Sequence, residues 1–397
     1  MVKNLILSQT LAVKILIAAF GFYPETHGIA QAAYHQAMGL HRLDYEITVV
    51  TQASDQPRNV PFAVVSFPVR YRRFSLLPQR KVITAYQRFI LESDADVFFF
   101  HGWETWVSEW VIPILPQLKG KTVLISHGTT IHLRYPGFKG WLRWLLNRSA
   151  ALGFSGKLRM FDWLVFLSPH PDPQRMSDVV EAKRLGITDF SIIPNGANPA
   201  FLRSSVVDFR TKFGIPNATI LLCVGNFMRE KGQRELVRWF RELALKNTVL
   251  VLIGSRFNEY SAQLSKAAGT HLNVTVFLFE QLTVEDIHAA YSAATIFVSA
   301  TYTEVQPLVL LDAMAVGVPF LCREVGAVKE LKGGLCFRTK REFSKKLRWL
   351  LRHPLSRSSL GEKGRKSVQE KYNWDKSALL WHALIQRLIQ GIRRCSQ

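Results

Sequence analysis

Three features of this 397-residue chain predict an α/β protein of two facing, doubly wound parallel-sheet domains with a cleft between them. Short β-rich runs alternate with helical patterns along its length, as in βαβ units. Several runs, such as VFFF at 97–100 and LVFLS at 164–168, are apolar on both faces, as strands covered by helices on both sides must be. The length is too great for one core and suits two domains of about 150–200 residues each.

The strands expected in the first half are Lys14–Ala19, Ile47–Thr51, Val97–His101, Thr122–Ser126, Trp163–Ser168 and Ser191–Pro194. The segment before them, Met1 to Val13, reads as a loose extension. It has the look of a secretion signal, but Lys14 breaks the apolar stretch, and VKILIAAFGFYP suits a buried first strand leading into a loop. IPNGANPAF, around Asn198, is a turn-rich break. The series resumes at Ile220–Val224, Val249–Ile253, Val274–Phe279, Ile296–Ser299, Pro319–Cys322 and Gly334–Cys336. The divisions that follow are an N-terminal domain over 1–205, a C-terminal domain over 206–375 and a terminal helix over 376–397.

No apolar run approaches the roughly 20 residues that span a bilayer. Cys223, Cys322, Cys336 and Cys395 show no metal-ligand or CxxC spacing and read as buried thiols of a reducing, cytoplasmic compartment, with Cys395, near the C-terminus, unassigned. The net charge of +21 points to anionic partners: nucleic acid, anionic lipid or a phosphorylated substrate.

Doubly wound sheets bind ligands at the C-terminal ends of their strands. After the first strand, His27-Gly28 precedes a helix from about Ile29, which sets backbone amides toward an anion; an ordinary strand-turn-helix looks the same. His127 follows a strand in LISHGTTIHL, and His101 ends another in FFFHGWETW. Either is a candidate donor to a substrate oxygen or a structural histidine. In CVGNFMREKGQREL, Lys231 stands just before a helix, with Gly225 and Gly232 giving backbone freedom; a lysine there suits a diphosphate, or merely solvent.

The stretch ATYTEVQPLVLLDAMAVGVPF runs from Ala300 to Phe320. Pro307 suits a first helical turn, and the amides of Leu308 and Val309 then point at whatever precedes the helix. Glu304, before the helix, and Asp312, one turn inside it, are placed to accept from hydroxyls. One ligand with polyol, diphosphate and ribose in sequence matches all of these: a nucleoside-diphosphate sugar.

At this point the chain resembles a retaining glycosyltransferase of family 4 with the GT-B architecture. The likeness covers nearly the whole chain, through FYPETHGIA, YEITVVT, ISHGT, FLSPH, IIPNGANPAF, VGNFMREKG and TEVQPLVLLDAMAVGVP in the family's order. The last is similar to the family's Glu-x7-Glu signature. The resemblance implies that Lys231 binds the donor diphosphate, Glu304 the sugar hydroxyls and Asp312 the ribose. It implies Gly28 near the diphosphate and His127 beside the sugar, with Lys231, Glu304 and His127 as the catalytic set. It also implies that no metal or other cofactor is needed, that attack is front-face with retention, and that KYNWDKSALLWHALIQRLIQGIRR crosses back to the first domain. SDADVF has an Asp-x-Asp, but it fits the start of a strand better. Three departures stand out: Asn226 where relatives often have Arg, Asp312 where they have Glu, and Pro307 where many have Gly. Arg229 or Arg323 is expected to replace the missing charge.

Residues 70–89 hold six Lys or Arg and no acid, and so do residues 134–161. Arg70, Arg72, Arg73, Trp141, Arg143, Trp144 and Arg148 interleave charge with aromatic groups, which suits an anionic membrane surface and a glycan or lipid-linked acceptor. That makes the protein peripheral on the inner face of the plasma membrane; a solvated basic face is the plainer reading. No nucleic-acid motif is present. The alternative to an enzyme is a catalytically degenerate relative that binds a nucleotide or a partner.

Overall fold

The computed structural model describes residues 12–69, 80–129, 141–142, 145, 153–169 and 177–395. It contains two all-parallel sheets. The first has seven strands in the order β3-β2-β1-β4-β5-β6-β7, built from β1 (Lys14–Ala19), β2 (Glu46–Gln52), β3 (Ala63–Phe67), β4 (Val97–His101), β5 (Lys121–Ile125), β6 (Trp163–Phe166) and β7 (Phe190–Ile192). The second has six in the order β10-β9-β8-β11-β12-β13, from β8 (Thr219–Val224), β9 (Thr248–Gly254), β10 (Val276–Glu280), β11 (Ile296–Ser299), β12 (Phe320–Arg323) and β13 (Gly334–Phe337). Strand order reverses beside β1 and beside β8, so each sheet is doubly wound, with a switch point that can receive a ligand.

The two-sided apolar strands behave as their patterning requires. In β1, Ile15, Ile17 and Ala19 enter one core while Leu16 and Ala18 enter the opposite one. In β9, Val249, Val251 and Ile253 face one side and Leu250 and Leu252 the other. This is the period-2 alternation of a strand buried on both faces.

The expected strand ends shift by one or two residues, for identifiable reasons. Pro194 and Pro319 fall outside their strands because a proline cannot donate to the ladder. Instead the Pro319 carbonyl accepts from Phe297 N–H at 2.9 Å. Asn273 turns at φ 56° ahead of β10, so that strand begins at Val276 rather than Val274. β3 was not anticipated; it is a short edge strand, only partly buried, without clean alternation.

The chain leaves the first sheet after β7. The helix Trp374–Cys395 returns to it, burying Trp381, Leu384, Ile385 and Leu388 in the core that also holds Phe99 and Ile17. Trp381 meets Phe99 edge-on at 5.3 Å. Gly39, on the helix Gly28–His41, lets Ala378 approach: a Cβ there would sit 2.9 Å from the alanine's own. The two crossing segments lie side by side, with Ala197 bridged to Asn373 and the Ser377 hydroxyl donating to the Pro194 carbonyl at 2.7 Å. Among the described residues no helix is long and apolar enough to cross a membrane.

Asp94 and Asp96 anchor the start of β1. Asp94 pairs with the Lys14 ammonium, and Asp96 accepts from the Lys14 amide at 2.8 Å. Both carboxylates are thus occupied structurally.

Candidate functional site

β8 ends at Val224, and the chain passes Gly225 and Asn226 into a turn at Arg229–Lys231 and the helix Gln233–Leu243. Gln233 is buried, and its side-chain amide donates to the carbonyls of Gly225 and Asn226, each at 3.0 Å. Lys231 pairs with Glu304 from the loop after β11. Backbone bonds join the two loops. Tyr302 N–H donates to the Glu230 carbonyl at 2.8 Å, and the Thr301 hydroxyl donates to the same oxygen at 3.1 Å.

Two glycines make this junction close. Gly232 has φ 65°, and a Cβ on it would lie 2.1 Å from the Ala300 carbonyl oxygen. Gly326 has φ 51°, and its Cβ would lie 2.1 Å from the Glu304 carbonyl oxygen. Both the left-handed backbone and the space exclude a side chain.

The helix Leu308–Val316 is capped by Pro307 without a side-chain bond. The Pro307 carbonyl takes the amides of Leu310 at 3.1 Å and Leu311 at 3.4 Å. The amides of Leu308 and Val309 precede the first intrahelical acceptor, as the leading amides of any helix do. Asp312 accepts the Asn198 amide at 2.8 Å. Burial lifts its carboxyl from 3.8 to about 7, and the Asn198 N–H pulls the other way.

The first sheet supplies the opposite wall. His27 caps the helix Gly28–His41, its Nδ1 accepting from Ala30 N–H at 3.3 Å, so one leading amide is already used. His27 also stacks on Phe20 and meets the Glu25 carboxylate at 3.0 Å. Arg58, largely buried, donates to the Tyr23 carbonyl at 3.0 Å and the Gln52 carbonyl at 2.8 Å, which ties this loop to the chain after β2. A Cβ on Gly28 would meet no atom within 4 Å, so the space beside it belongs to the cleft. His127, after β5, stacks on His101 with ring nitrogens 3.0 Å apart.

These walls enclose two adjoining cavities of about 400 and 550 Å³. The first is lined by Gly28, His127, Gly225, Asn226, Lys231, Glu304, Pro307, Leu308 and Val309. The second shares Gly225, Asn226, Leu308 and Val309 and adds Asp312. Lys231, Glu304 and His127, together with Gly28, Gly225, Asn226, Pro307, Leu308, Val309 and Asp312, therefore border one cleft, whereas His101, the other histidine named as a candidate donor, borders neither cavity. At its floor Gln306 joins the two halves: Oε1 accepts from Asn195 N–H at 2.7 Å and Nε2 reaches the Leu167 carbonyl at 3.5 Å. His35, stacked on Trp374 at 4.6 Å, borders the second cavity; burial, then the nearby Arg42, push its pKa down to about 4.

Arg323 does not replace the absent arginine partner. Its guanidinium is caged by Tyr302, Phe337 and Trp239 at 4.7, 5.5 and 5.8 Å, and it donates to the Ala300 carbonyl. Arg229 is exposed outside both cavities. Among the described residues, Lys231 is the cleft's sole lysine or arginine. Cys223 and Cys322 are buried, as expected of thiols, whereas Cys336 is only half-buried. Of the surface group, Trp141 is 41% exposed, and Arg70, Arg72, Arg73, Arg143, Trp144 and Arg148 lie outside the described residues. Sequence reasoning missed Gln233, Gln306 and Arg58: Gln306 bonds partners more than 100 positions away, and Gln233 and Arg58 bond loop carbonyls whose direction only the folded backbone sets. No periodicity marks such residues.

Known proteins bear on this geometry. A family model described as "Glycosyl transferases group 1" matches residues 208–367, and one described as "Glycosyl transferase 4-like domain" matches 27–156. The alpha-monoglucosyldiacylglycerol synthase of Acholeplasma laidlawii is 25% identical over 366 residues, 86% of this chain and 89% of its own. The solved sucrose-phosphate synthase of Thermosynechococcus elongatus superposes with a TM-score of 0.76 at 19% identity, covering 96% of this chain and 100% of that one. The Anabaena HepE structure in complex with UDP-glucose superposes at 0.69 and 13% identity, over 96% of this chain and 99% of that one.

Proposed function

This chain is a group 1 glycosyltransferase of the family 4 type with the GT-B fold, and from that premise we propose that it moves a hexosyl unit from a nucleoside-diphosphate sugar to a lipid-linked or other envelope acceptor, with retention and without a metal. The observation that carries the donor assignment is the convergence of Lys231, Glu304, the leading amides of Leu308–Val316 and Asp312 on one cleft. Together they match the sugar, the diphosphate and the ribose of such a donor. UDP-glucose in the HepE complex supports a nucleotide-sugar ligand for this fold, and the product named for the Acholeplasma relative, a glucosylated diacylglycerol, supports a lipid acceptor.

In the reaction, negative charge grows on the departing diphosphate as the anomeric carbon becomes oxocarbenium-like. Lys231 and the amides of Leu308 and Val309 meet that charge from fixed positions, the preorganisation that gives electrostatic catalysis its strength. A diphosphate offers Lys231 a stronger partner than one carboxylate. Glu304, released from the pair, then accepts from the sugar hydroxyls. Asp312 holds the ribose, and His127 aligns the sugar from the opposite wall. The acceptor hydroxyl attacks from the face the diphosphate leaves, and its proton passes to the departing phosphate oxygen.

The test is a thermal-shift titration with UDP, GDP and ADP, with and without magnesium, followed by turnover with sugars of whichever base binds. A ligand at about 100 times its dissociation constant adds roughly 2.7 kcal/mol, a clear shift. A metal-independent shift with one nucleotide, then transfer, is the expected result. A shift without turnover on any sugar identifies a nucleotide-binding relative, and no shift at all removes the donor assignment.

A further inference from the structure

Behind His127 stands a relay of two buried side chains that the mechanism above does not use. His101, at the end of β4, is 1% exposed, and Gln36, on the helix Gly28–His41, is 2% exposed. His101 Nε2 lies 2.7 Å from Gln36 Oε1, and His101 Nδ1 lies 3.0 Å from His127 Nε2. We infer that Gln36 and His101 are positioning residues that hold His127 in the tautomer protonated on Nδ1. This rests on the reading of His127 as a donor-site residue.

His101 is neutral, because burial and the proximity of His127 both disfavour its charged form. A neutral imidazole has one donor nitrogen and one acceptor nitrogen, so His101 transmits whichever polarity Gln36 imposes. An amide has two settings of the same shape. With Oε1 toward His101, the Gln36 NH2 group is buried and finds no partner among the described residues. Turned over, the amide donates to His101 Nε2, and the group left over is a carbonyl oxygen, which tolerates a missing partner better than N–H does. In that setting His101 Nδ1–H donates to the lone pair of His127 Nε2. The single proton of His127 then resides on Nδ1, which makes that nitrogen a hydrogen-bond donor. A donor suits the lone-pair-rich oxygens of sugars and phosphates. Packing alone needs none of this polarity, which His101→Phe removes while keeping an aromatic ring at that place.

The test is two-bond proton–nitrogen NMR on the whole protein labelled with 15N-histidine, with the His127 signal identified by its loss in His127→Gln. Histidine in water favours the Nε2 proton, so the opposite state is diagnostic. At about pH 8, where free imidazole is neutral, the wild type should show Nδ1 protonated, and His101→Phe and Gln36→Met should each move His127 toward Nε2 protonation. With a working donor, both variants should lose kcat by about tenfold, the equivalent of one hydrogen bond, with the donor KM changed by less than about twofold. An Nε2-protonated His127 in the wild type, or an unchanged pattern in the variants, overturns the proposal. If His101→Phe fails to fold, Gln36→Met decides alone. The NMR result needs no turnover, so a protein inactive on every sugar donor counts against the transferase reading and leaves this test intact.

Discussion

Lys231 and Glu304 are each only partly exposed, with side chains 32% and 16% accessible, and they are paired across two loops. Removing Glu304 leaves the lysine without its resting partner and, in the proposed reaction, takes away the group that accepts from the sugar hydroxyls. Glu304→Ala is expected to reduce turnover at least about tenfold, measured by initial rates on the identified donor; normal turnover refutes the role. Asp312 carries a pH signature. Its carboxyl is held at about 7 in the folded chain, against 3.8 for the free group. Between those values the unfolded chain has lost the proton that the folded chain keeps, so stability falls as pH rises through that window. Ribose hydroxyls favour the carboxylate form. Affinity for a nucleoside-diphosphate sugar, whose diphosphate does not titrate near neutrality, should therefore be about tenfold weaker at about pH 6 than at about pH 8. Calorimetry on wild type and Asp312→Asn checks both effects: the variant should lose the affinity slope and the stability slope together.

At the scale of elements, the donor loops are set by backbone proximity. Gly232 and Gly326 bring the strand-end loops within van der Waals contact of the Ala300 and Glu304 carbonyls. Alanine at either is strained in φ and overlaps a carbonyl, so each should lower stability by about 1–3 kcal/mol and displace Glu304 or Lys231. Melting and turnover should fall together. Gly28→Ala is the informative contrast. Its Cβ meets no protein atom, and alanine favours a helix over glycine by about 1 kcal/mol. Melting should hold or rise while donor affinity falls, because the methyl takes space that belongs to the ligand. An unchanged affinity places the diphosphate elsewhere.

For the whole molecule, the helix Trp374–Cys395 is a core element of the first sheet rather than an appendage of the second. Trp381→Ala should cost about 3–5 kcal/mol by emptying the space against Phe99, read as a lower denaturation midpoint with an unchanged slope. The charge of +21 and the half-exposed Trp141, Leu142 and Leu145 are the observations behind the membrane part of the proposal. Flotation with anionic vesicles should show binding at low salt that weakens as the Debye length shrinks. No binding at low salt removes the membrane part of the proposal.

Parallel two-sided sheets, nearly all the strands and the helix start at Leu308 were legible in the sequence, because hydrophobic periodicity and proline placement are local signals. β3 escaped because an edge strand buried on part of one face leaves no such pattern. Glu304, Lys231 and His127, in loops after strands, and Asp312, one turn inside the helix that follows such a loop, were readable because chemistry-bearing residues there have a recognisable local setting. Which of them meet was decided only by the tertiary structure. The pairing of Lys231 with Glu304 spans 73 positions, and the relay from Gln36 through His101 to His127 spans 65 and then 26. Arg323 shows the reverse case: a plausible phosphate partner in the sequence, it is enclosed by three aromatic rings in the fold. The physical reason is the same throughout. Backbone preference and burial pattern act between neighbours in the chain, whereas a hydrogen bond or an ion pair depends on distances that exist only once the sheets have closed.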